Sequence, residues 1–387
     1  MTTPSRIHGP TRNLGSDRKK NIAISPRLLV KAMTTPIPMK TKIPALSTIA
    51  ALVLVLTPSI SQAQFQGLNN NYGVSGGNIN DISRRFCCSG TLGSLVRGAN
   101  GTLYILSNNH VLARTDQAVM GEDISQPGLI DNNCVAPRIV ADFSTKVALG
   151  NNVDCAVAAL RTGTMNTTGA IQDIGAPSVN VASPLVGMNV QKSGRTTGYT
   201  TGSIGSINTS VSVQYQPTCG SGRKRNFSYT NQVVINSTTF SAGGDSGSLI
   251  LTTGACPHPV ALLFAGSSST TIGNPIGEVM TKMSGALGSN LTFVGMSCTS
   301  PGSPFEAQSL QLPQQALDRA SRVLEVNRHD LMSRPAVLGV GLGTLEDNSA
   351  PAIVVYVDKT SEAKPQLPAG VGNVPVRIIM TDPFIAY

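Results

Sequence analysis

Three residues of this chain are of types that could do chemistry together: His110 in Leu106-Ser-Asn-Asn-His-Val-Leu112, Asp154 in Asn152-Val-Asp-Cys-Ala-Val-Ala158, and Ser246 in Ser241-Ala-Gly-Gly-Asp-Ser-Gly-Ser-Leu-Ile250. A serine hydroxyl is a weak nucleophile until a base removes its proton. An imidazole can be that base, and it needs a carboxylate to fix its tautomer. His110 precedes Asp154 by 44 residues, and about twice that interval separates Asp154 from Ser246. The order His, Asp, Ser is one of three chain orders in which unrelated architectures assemble these groups. Gly243-Gly244 ahead of Asp245-Ser246 lets the backbone turn tightly enough to aim the amides of Gly244 and Ser246 at an oxygen gaining negative charge. The competing Gly-x-Ser-x-Gly elbow fails, because Ser248 stands where its last glycine belongs and a strand-like run follows.

Positioning three such groups requires a scaffold, and the period-two patterning supplies β-strands. Thr91 to Val96, a turn at Gly98-Ala-Asn-Gly101, and Leu103 to Ser107 read as a hairpin that delivers His110 just past its end. Runs at 153–160, 190–193, 211–216, 232–235, 248–251 and 260–265 continue the pattern between Gly, Ser, Thr and Asn turns. Asn274-Pro275 reads as an N-cap and first helical position, with Ile276, Val279, Met280 and Met283 on one face. After the breaker-rich 297–304, Leu317, Ala320, Leu324 and Leu331 form a helical stripe ended by Pro335. Strand-like runs at 337–342, 353–358 and 376–380 follow. The expected organisation is a leader over 1–63, a β-rich body over 64–296, a linker over 297–304 and a small α+β domain over 305–387. The Gly/Asn-rich stretch 64–81 is expected to wrap the body or to be loosely ordered.

The pI near 9.3 and the formal charge of +9 invite a nucleic-acid reading, which the distribution of charge removes. Nine Lys and Arg lie before residue 64 against the single acid Asp17, so the remainder is close to neutral and offers no phosphate-binding surface. Met39-Lys-Thr-Lys42, the apolar run Ile43 to Leu56 and Pro58-Ser-Ile-Ser-Gln-Ala63 describe a secretory signal cleaved after Ala63. That run is shorter than the ~20 residues a membrane span needs, so no stable membrane anchor is expected after cleavage. Met33 and Met39 are alternative starts. Seven cysteines in an exported chain imply disulfides with at least one thiol left over. The expected pairs are Cys219 with Cys256 and one of Cys87 or Cys88 with Cys134. No zinc-type spacing is present.

Five stretches carry a resemblance: Cys87-Cys-Ser-Gly-Thr-Leu-Gly93, Tyr104-Ile-Leu-Ser-Asn-Asn-His-Val111, Lys192-Ser-Gly-Arg-Thr-Thr-Gly198, Gly244-Asp-Ser-Gly-Ser248 and Leu263-Phe-Ala-Gly-Ser-Ser268. Through them, residues 87 to 296 resemble trypsin-like serine peptidases of the chymotrypsin fold, and within these a bacterial branch similar to the narrow-leaf peptidases of plants. The resemblance implies a mainly β, double six-stranded β-barrel with the C-terminal α+β domain beside it. It implies catalysis by His110, Asp154 and Ser246, and an edge at Leu263 to Gly266, including Phe264, Ala265 and Gly266, that pairs with an extended peptide. Phe240 occupies the position where trypsin carries an acid, so an apolar or small substrate side chain is expected. The predicted mature start, Gln64-Phe-Gln-Gly67, is unsuited to insertion as a new amino terminus. Arg195 is therefore expected to pair with the buried Asp245 and to support the site. The expectation is an exported, secreted or periplasmic serine endopeptidase acting on peptide or protein substrates, with no metal or organic cofactor and no nucleic acid. The alternatives are a catalytically silent, protease-like binding protein and an inert structural exoprotein.

Overall fold

The computed structural model describes residues 68–298 and 312–387. The expected signal peptide and its cleavage site lie outside the described residues, as does most of the expected linker.

In chain order the elements are β1 (Val74–Asn78), β2 (Gly90–Leu92), β3 (Ser94–Gly98), β4 (Leu103–Ser107), α1 (Asn109–Leu112), β5 (Asp123–Ser125), β6 (Ile139–Lys146), β7 (Ala156–Leu160), β8 (Asn189–Lys192), β9 (Thr200–Tyr215) and β10 (Arg225–Asn236). There follow β11 (Leu249–Thr252), β12 (Pro259–Gly266), β13 (Thr270–Pro275), α2 (Ile276–Leu287), β14 (Leu291–Phe293), α3 (Gln314–Ser333), β15 (Val337–Thr344), β16 (Pro351–Asp358), β17 (Gly370–Val371), β18 (Val374–Thr381) and β19 (Phe384–Ala386).

Gly93 alone interrupts β2 and β3. Counted as one broken strand, they pair with β1 on one side and β4 on the other, and β7, β6 and β5 lead back to β1. That ring is a closed barrel. β8, β9, β10, β13, β12 and β11 close a second ring, since β11 pairs with β8. The protein is a chymotrypsin-like double β-barrel. Closure removes the edges on which sheets aggregate. The first barrel is filled by Leu95, Ile105, Leu106, Val140 and Val157, and by Val279 and Met283 of α2; the second by Met188, Val190, Ile204, Val233, Phe240 and Ile250. Each such side chain contributes about 1.5–3 kcal/mol by leaving water.

The C-terminal segment joins this sheet. β15 pairs antiparallel with β9, β16 with β15, and β18 runs parallel to β16. α3 covers this extension with Ala320, Leu324 and Leu331, the stripe expected from sequence, against Val340, Ile353, Val355 and Val357. Arg328 fastens the helix to β9 through Asn208 O at 2.8 Å and Ser210 Oγ at 2.9 Å. From β18 the chain returns to the barrels, where β19 lies between β12 and β9.

Several expectations change. The 64–81 stretch contributes β1, whose five residues are all buried. α2 begins at Ile276 with Pro275 at its cap position and no side-chain cap. Asn274 is instead a buried residue of β13, and its Oδ1 accepts the backbone N–H of Asp154 at 2.9 Å. The disulfides are Cys87–Cys134, Cys88–Cys219 and Cys256–Cys298. The first pair matches expectation; the Cys219–Cys256 pairing is wrong, because the β9–β10 connection carries Cys219 to the first barrel. Cys155 is the buried free thiol.

Candidate active site

His110 sits in α1, a single turn directly after β4, and the two asparagines before it hold that turn in place. Asn108 Nδ2 donates to Asp154 O at 2.7 Å, and Asn109 Nδ2 donates to Val147 O at 2.8 Å. Asp154 immediately precedes the buried Cys155 and β7 and is fully buried. Its Oδ2 lies 2.6 Å from His110 Nδ1, and its Oδ1 accepts the His110 amide at 3.3 Å. The Tyr215 hydroxyl donates to the same Oδ2 at 2.8 Å and in turn accepts from the Tyr229 hydroxyl at 2.8 Å. Burial and the Asp154 charge push the Tyr215 phenol pKa well above its ordinary value, so it stays a neutral donor. For His110, burial opposes the charged imidazole, but Asp154, the Tyr387 carbonyl and Asp81 outweigh it and hold the pKa above the ordinary value. Asp81, half-buried at the cleft, is pushed up to about 6 by burial, against the pull of His110 and Arg114.

Ser246 lies on the other side of the cleft, in a turn closed by Asp245 N–H donating to Ala242 O at 3.0 Å. Gly244 takes φ 99° there, a conformation that any residue with a Cβ resists. Thr91 Oγ1 and Thr196 Oγ1 pin the turn through Gly244 O at 3.0 Å and Gly243 O at 2.6 Å. Among the described residues, no hydrogen bond uses the Gly244 or Ser246 amide. The Ser246 hydroxyl donates to Phe264 O at 3.2 Å, and no hydrogen bond joins it to His110. The outer nitrogen of His110, Nε2, faces Tyr387 O at 2.9 Å.

The expected Arg195–Asp245 pair is not formed. Lys192 Nζ, fully buried, lies 3.4 Å from Asp245 Oδ2. Asp245 also accepts the amides of Thr196, Thr197 and Ala242 at 2.8, 3.1 and 2.9 Å and the Thr197 hydroxyl at 2.7 Å. Burial lowers the Lys192 pKa, with Asp245 opposing. Arg195 points the other way, into a two-pronged contact with Asp131 at 2.7 and 2.8 Å. The cause is local: Gly194 and Gly198 exchange backbone hydrogen bonds, and that tight loop presents the threonine amides to Asp245 while turning the Arg195 side chain outward.

Phe240 is fully buried in the second barrel's core, and its carbonyl accepts the Thr200 hydroxyl at 2.8 Å. Phe264 packs on Tyr229 with ring centroids 4.9 Å apart. Ala265 and Gly266 form the edge that faces β19. Lys192, Tyr215, Asn274 and Tyr387 were not singled out from sequence as site residues. Lys192 opens the quoted Lys-Ser-Gly-Arg-Thr-Thr-Gly motif, which was the available signal; the other three come from positions distant in sequence. A cleft of about 270 Å³ remains beside His110, lined by Asp81, Cys88, Cys219, Arg195, Gly244 and Tyr387 among others.

Neither a family model nor a curated protein sequence matches this chain. Solved structures do. The Nocardiopsis protease is 14% identical, covering 58% of this chain and 98% of its own, with a TM-score of 0.40. Thermobifida fusca Protease A is 16% identical, with 58% and 99% covered and a TM-score of 0.38. The Cellulomonas bogoriensis chymotrypsin is 16% identical, with 59% and 100% covered and a TM-score of 0.38. The likeness is one of fold.

Proposed function

We propose that this chain is an exported serine endopeptidase. The observation that carries the reading is the His110–Asp154 contact, closed by Tyr215, across the cleft from a turn that leaves two amides unpaired beside Ser246. Ser246 Oγ attacks the substrate carbonyl carbon as His110 Nε2 takes its proton. The amides of Gly244 and Ser246 hold the oxyanion, each such donor being worth about 3 kcal/mol. The imidazolium then protonates the departing amine, leaving an acyl-enzyme that water hydrolyses by the same proton path. Asp154 fixes the imidazole tautomer and faces the imidazolium that forms. Lys192 neutralises Asp245 and keeps the turn in shape, the role a freed amino terminus would otherwise fill. Three disulfides fit an oxidising compartment, and among the described residues no helix is long and apolar enough to cross a membrane.

Fluorophosphonate labelling tests this reading on the whole chain, with a Tyr387→Asp chain in parallel. Labelling that disappears in Ser246→Ala is the expected result. Absence of labelling in both chains, with native disulfides formed, overturns it in favour of a silent binding protein.

A further inference from the structure

β19 enters the cleft as a strand. Its pairing with β12 is antiparallel, Ala386 opposite Ala265 and Ile385 opposite Gly266. Continued by one residue, the register sets Tyr387 opposite Phe264, whose carbonyl holds the Ser246 hydroxyl. The Tyr387 carbonyl is at the imidazole, 2.9 Å from His110 Nε2. Pairing along this sheet edge, with the chain running toward the imidazole, is how the acyl half of a peptide substrate enters such a cleft; the Tyr387 oxygen itself rests at the base rather than on the Gly244 and Ser246 amides.

The side chains agree with the backbone. The Tyr387 ring packs against the apolar core of the second barrel, and its hydroxyl donates to Ser267 O at 2.8 Å. No side chain fits at Gly266, where a Cβ would come 2.3 Å from the Tyr387 hydroxyl and 2.4 Å from Thr270 O. Three residues earlier, Phe384 is fully buried among Val213, Tyr229 and Tyr356, with its ring 5.9 Å from that of Tyr356. Asp382 pairs with Lys359 at 3.1 Å. The segment is therefore anchored upstream and delivers the Tyr387 side chain to a pocket of the second barrel. The cleft stays open beyond Tyr387, on the side where a leaving group would lie.

We propose that Phe384–Tyr387 is an intramolecular, substrate-mode occupant of the cleft, and that the pocket it fills selects a tyrosine as the residue whose carbonyl is attacked. The substrate class rests on the endopeptidase reading; the occupancy does not. An occupant tethered at Phe384 competes at a high effective concentration, on the order of millimolar for a short linker. It holds the full chain in a restrained state. The phenol is taken up neutral, since burial pushes its pKa up to about 12. A Glu side chain in that place would bring a second negative charge near Asp245, and a Lys would have to share Asp245 with the Lys192 ammonium already on it.

The test uses a fluorescein-labelled Phe-Ile-Ala-Tyr peptide and fluorescence polarisation on full chains. Tyr387→Asp is expected to bind it at least about tenfold more tightly than the parent chain, and Ser246→Ala/Tyr387→Asp to bind it equally well. Ile385→Pro, which removes an amide from the pairing with Gly266, is the second means of displacing the segment. The same peptide ending in Lys or Glu is expected to bind about 100-fold more weakly, and the one ending in Phe about tenfold more weakly for loss of one hydrogen bond. Peptide p-nitroanilides with Tyr, Phe, Lys or Glu at the cleaved position should rank in the same order. Equal binding by parent and both displaced chains, or preference for Lys or Glu, overturns the proposal. Failure of folded Tyr387→Asp and Ile385→Pro to bind the tyrosine peptide also overturns it, whatever they hydrolyse. Tight, Tyr387-sensitive binding without hydrolysis upholds the occupancy and defeats only the endopeptidase reading.

Discussion

Replacing Lys192 with Met removes the ammonium that faces Asp245 and preserves most of the buried volume. Both groups are fully buried, with Nζ 3.4 Å from Oδ2; at an effective dielectric of about 20, their attraction is about 5 kcal/mol. Breaking a buried pair by removing one partner typically costs about 3–5 kcal/mol. Asp245 keeps three amides and the Thr197 hydroxyl, so about 3 kcal/mol of stability is the expected loss. The functional loss is separate. Asp245 lies between the two residues whose amides would hold the oxyanion, and a shift that withdraws one donor slows acylation about 100- to 1,000-fold. Urea unfolding gives the first quantity and the rate of fluorophosphonate labelling, in the Tyr387→Asp background, gives the second. Arg195→Met is the control: it should lose stability through the orphaned Asp131 and keep labelling within about tenfold of the parent. If Lys192→Met retains both stability and labelling rate while Arg195→Met abolishes labelling, the assignment of Lys192 as the partner of Asp245 is refuted.

Four further outcomes are expected. In the Tyr387→Asp chain, kcat/KM should rise with pH as His110 loses its proton, because it must be neutral to act; there Asp154 still holds its pKa up while the Tyr387 carbonyl no longer does, and Asp154→Asn should lower both the midpoint and the rate. By linkage, the stability that Asp154 lends the His110 imidazolium is fully present below the unfolded value of about 6.5 and is lost as pH rises through the folded value, which urea titrations at pH 5 and pH 9 would detect. Tyr215→Phe leaves Asp154 Oδ2 without its second donor and should cost about 1.5–3 kcal/mol, the usual worth of a hydrogen bond to a charged group, measured by urea unfolding, with an unchanged far-ultraviolet circular dichroism spectrum. Cys88–Cys219 spans 131 residues and ties the two barrels together beside the cleft, so Cys88→Ala/Cys219→Ala should lose about 2–5 kcal/mol, measured by thermal unfolding.

The separation between what sequence revealed and what it hid follows the range of the interactions. His110, Asp154 and Ser246 stood out as a candidate set because each would have to be a particular residue type, in an order that few architectures share. The α3 stripe was legible because a helix writes its buried face at a local period, as Ala320, Leu324 and Leu331 do. β1 was not: Val74–Asn78 is buried throughout and rich in glycine, so no alternation marks it. The partner of Asp245 shows where type and geometry part. A buried carboxylate demands a cation, and Lys192-Ser-Gly-Arg195 offers two within four residues; only the Gly194–Gly198 loop closure decides which one turns inward.

The cleft extends the same argument. Leu263 to Gly266 was recognisable as an edge able to receive an extended peptide, and such an edge reads backbone first and side chains second. Nothing in the side-chain pattern of Phe384–Tyr387 distinguishes a strand of its own module from a strand that fills another sheet's vacancy, since both satisfy the same N–H and C=O groups. The two differ at Tyr387. A strand that served only to complete the sheet would need no particular group there, whereas here a tyrosine hydroxyl meets Ser267 O and a carbonyl meets the His110 imidazole. Two polar contacts, one at an imidazole and one in a pocket, go beyond what sheet completion needs and are the ground for reading the segment as an occupant of the cleft.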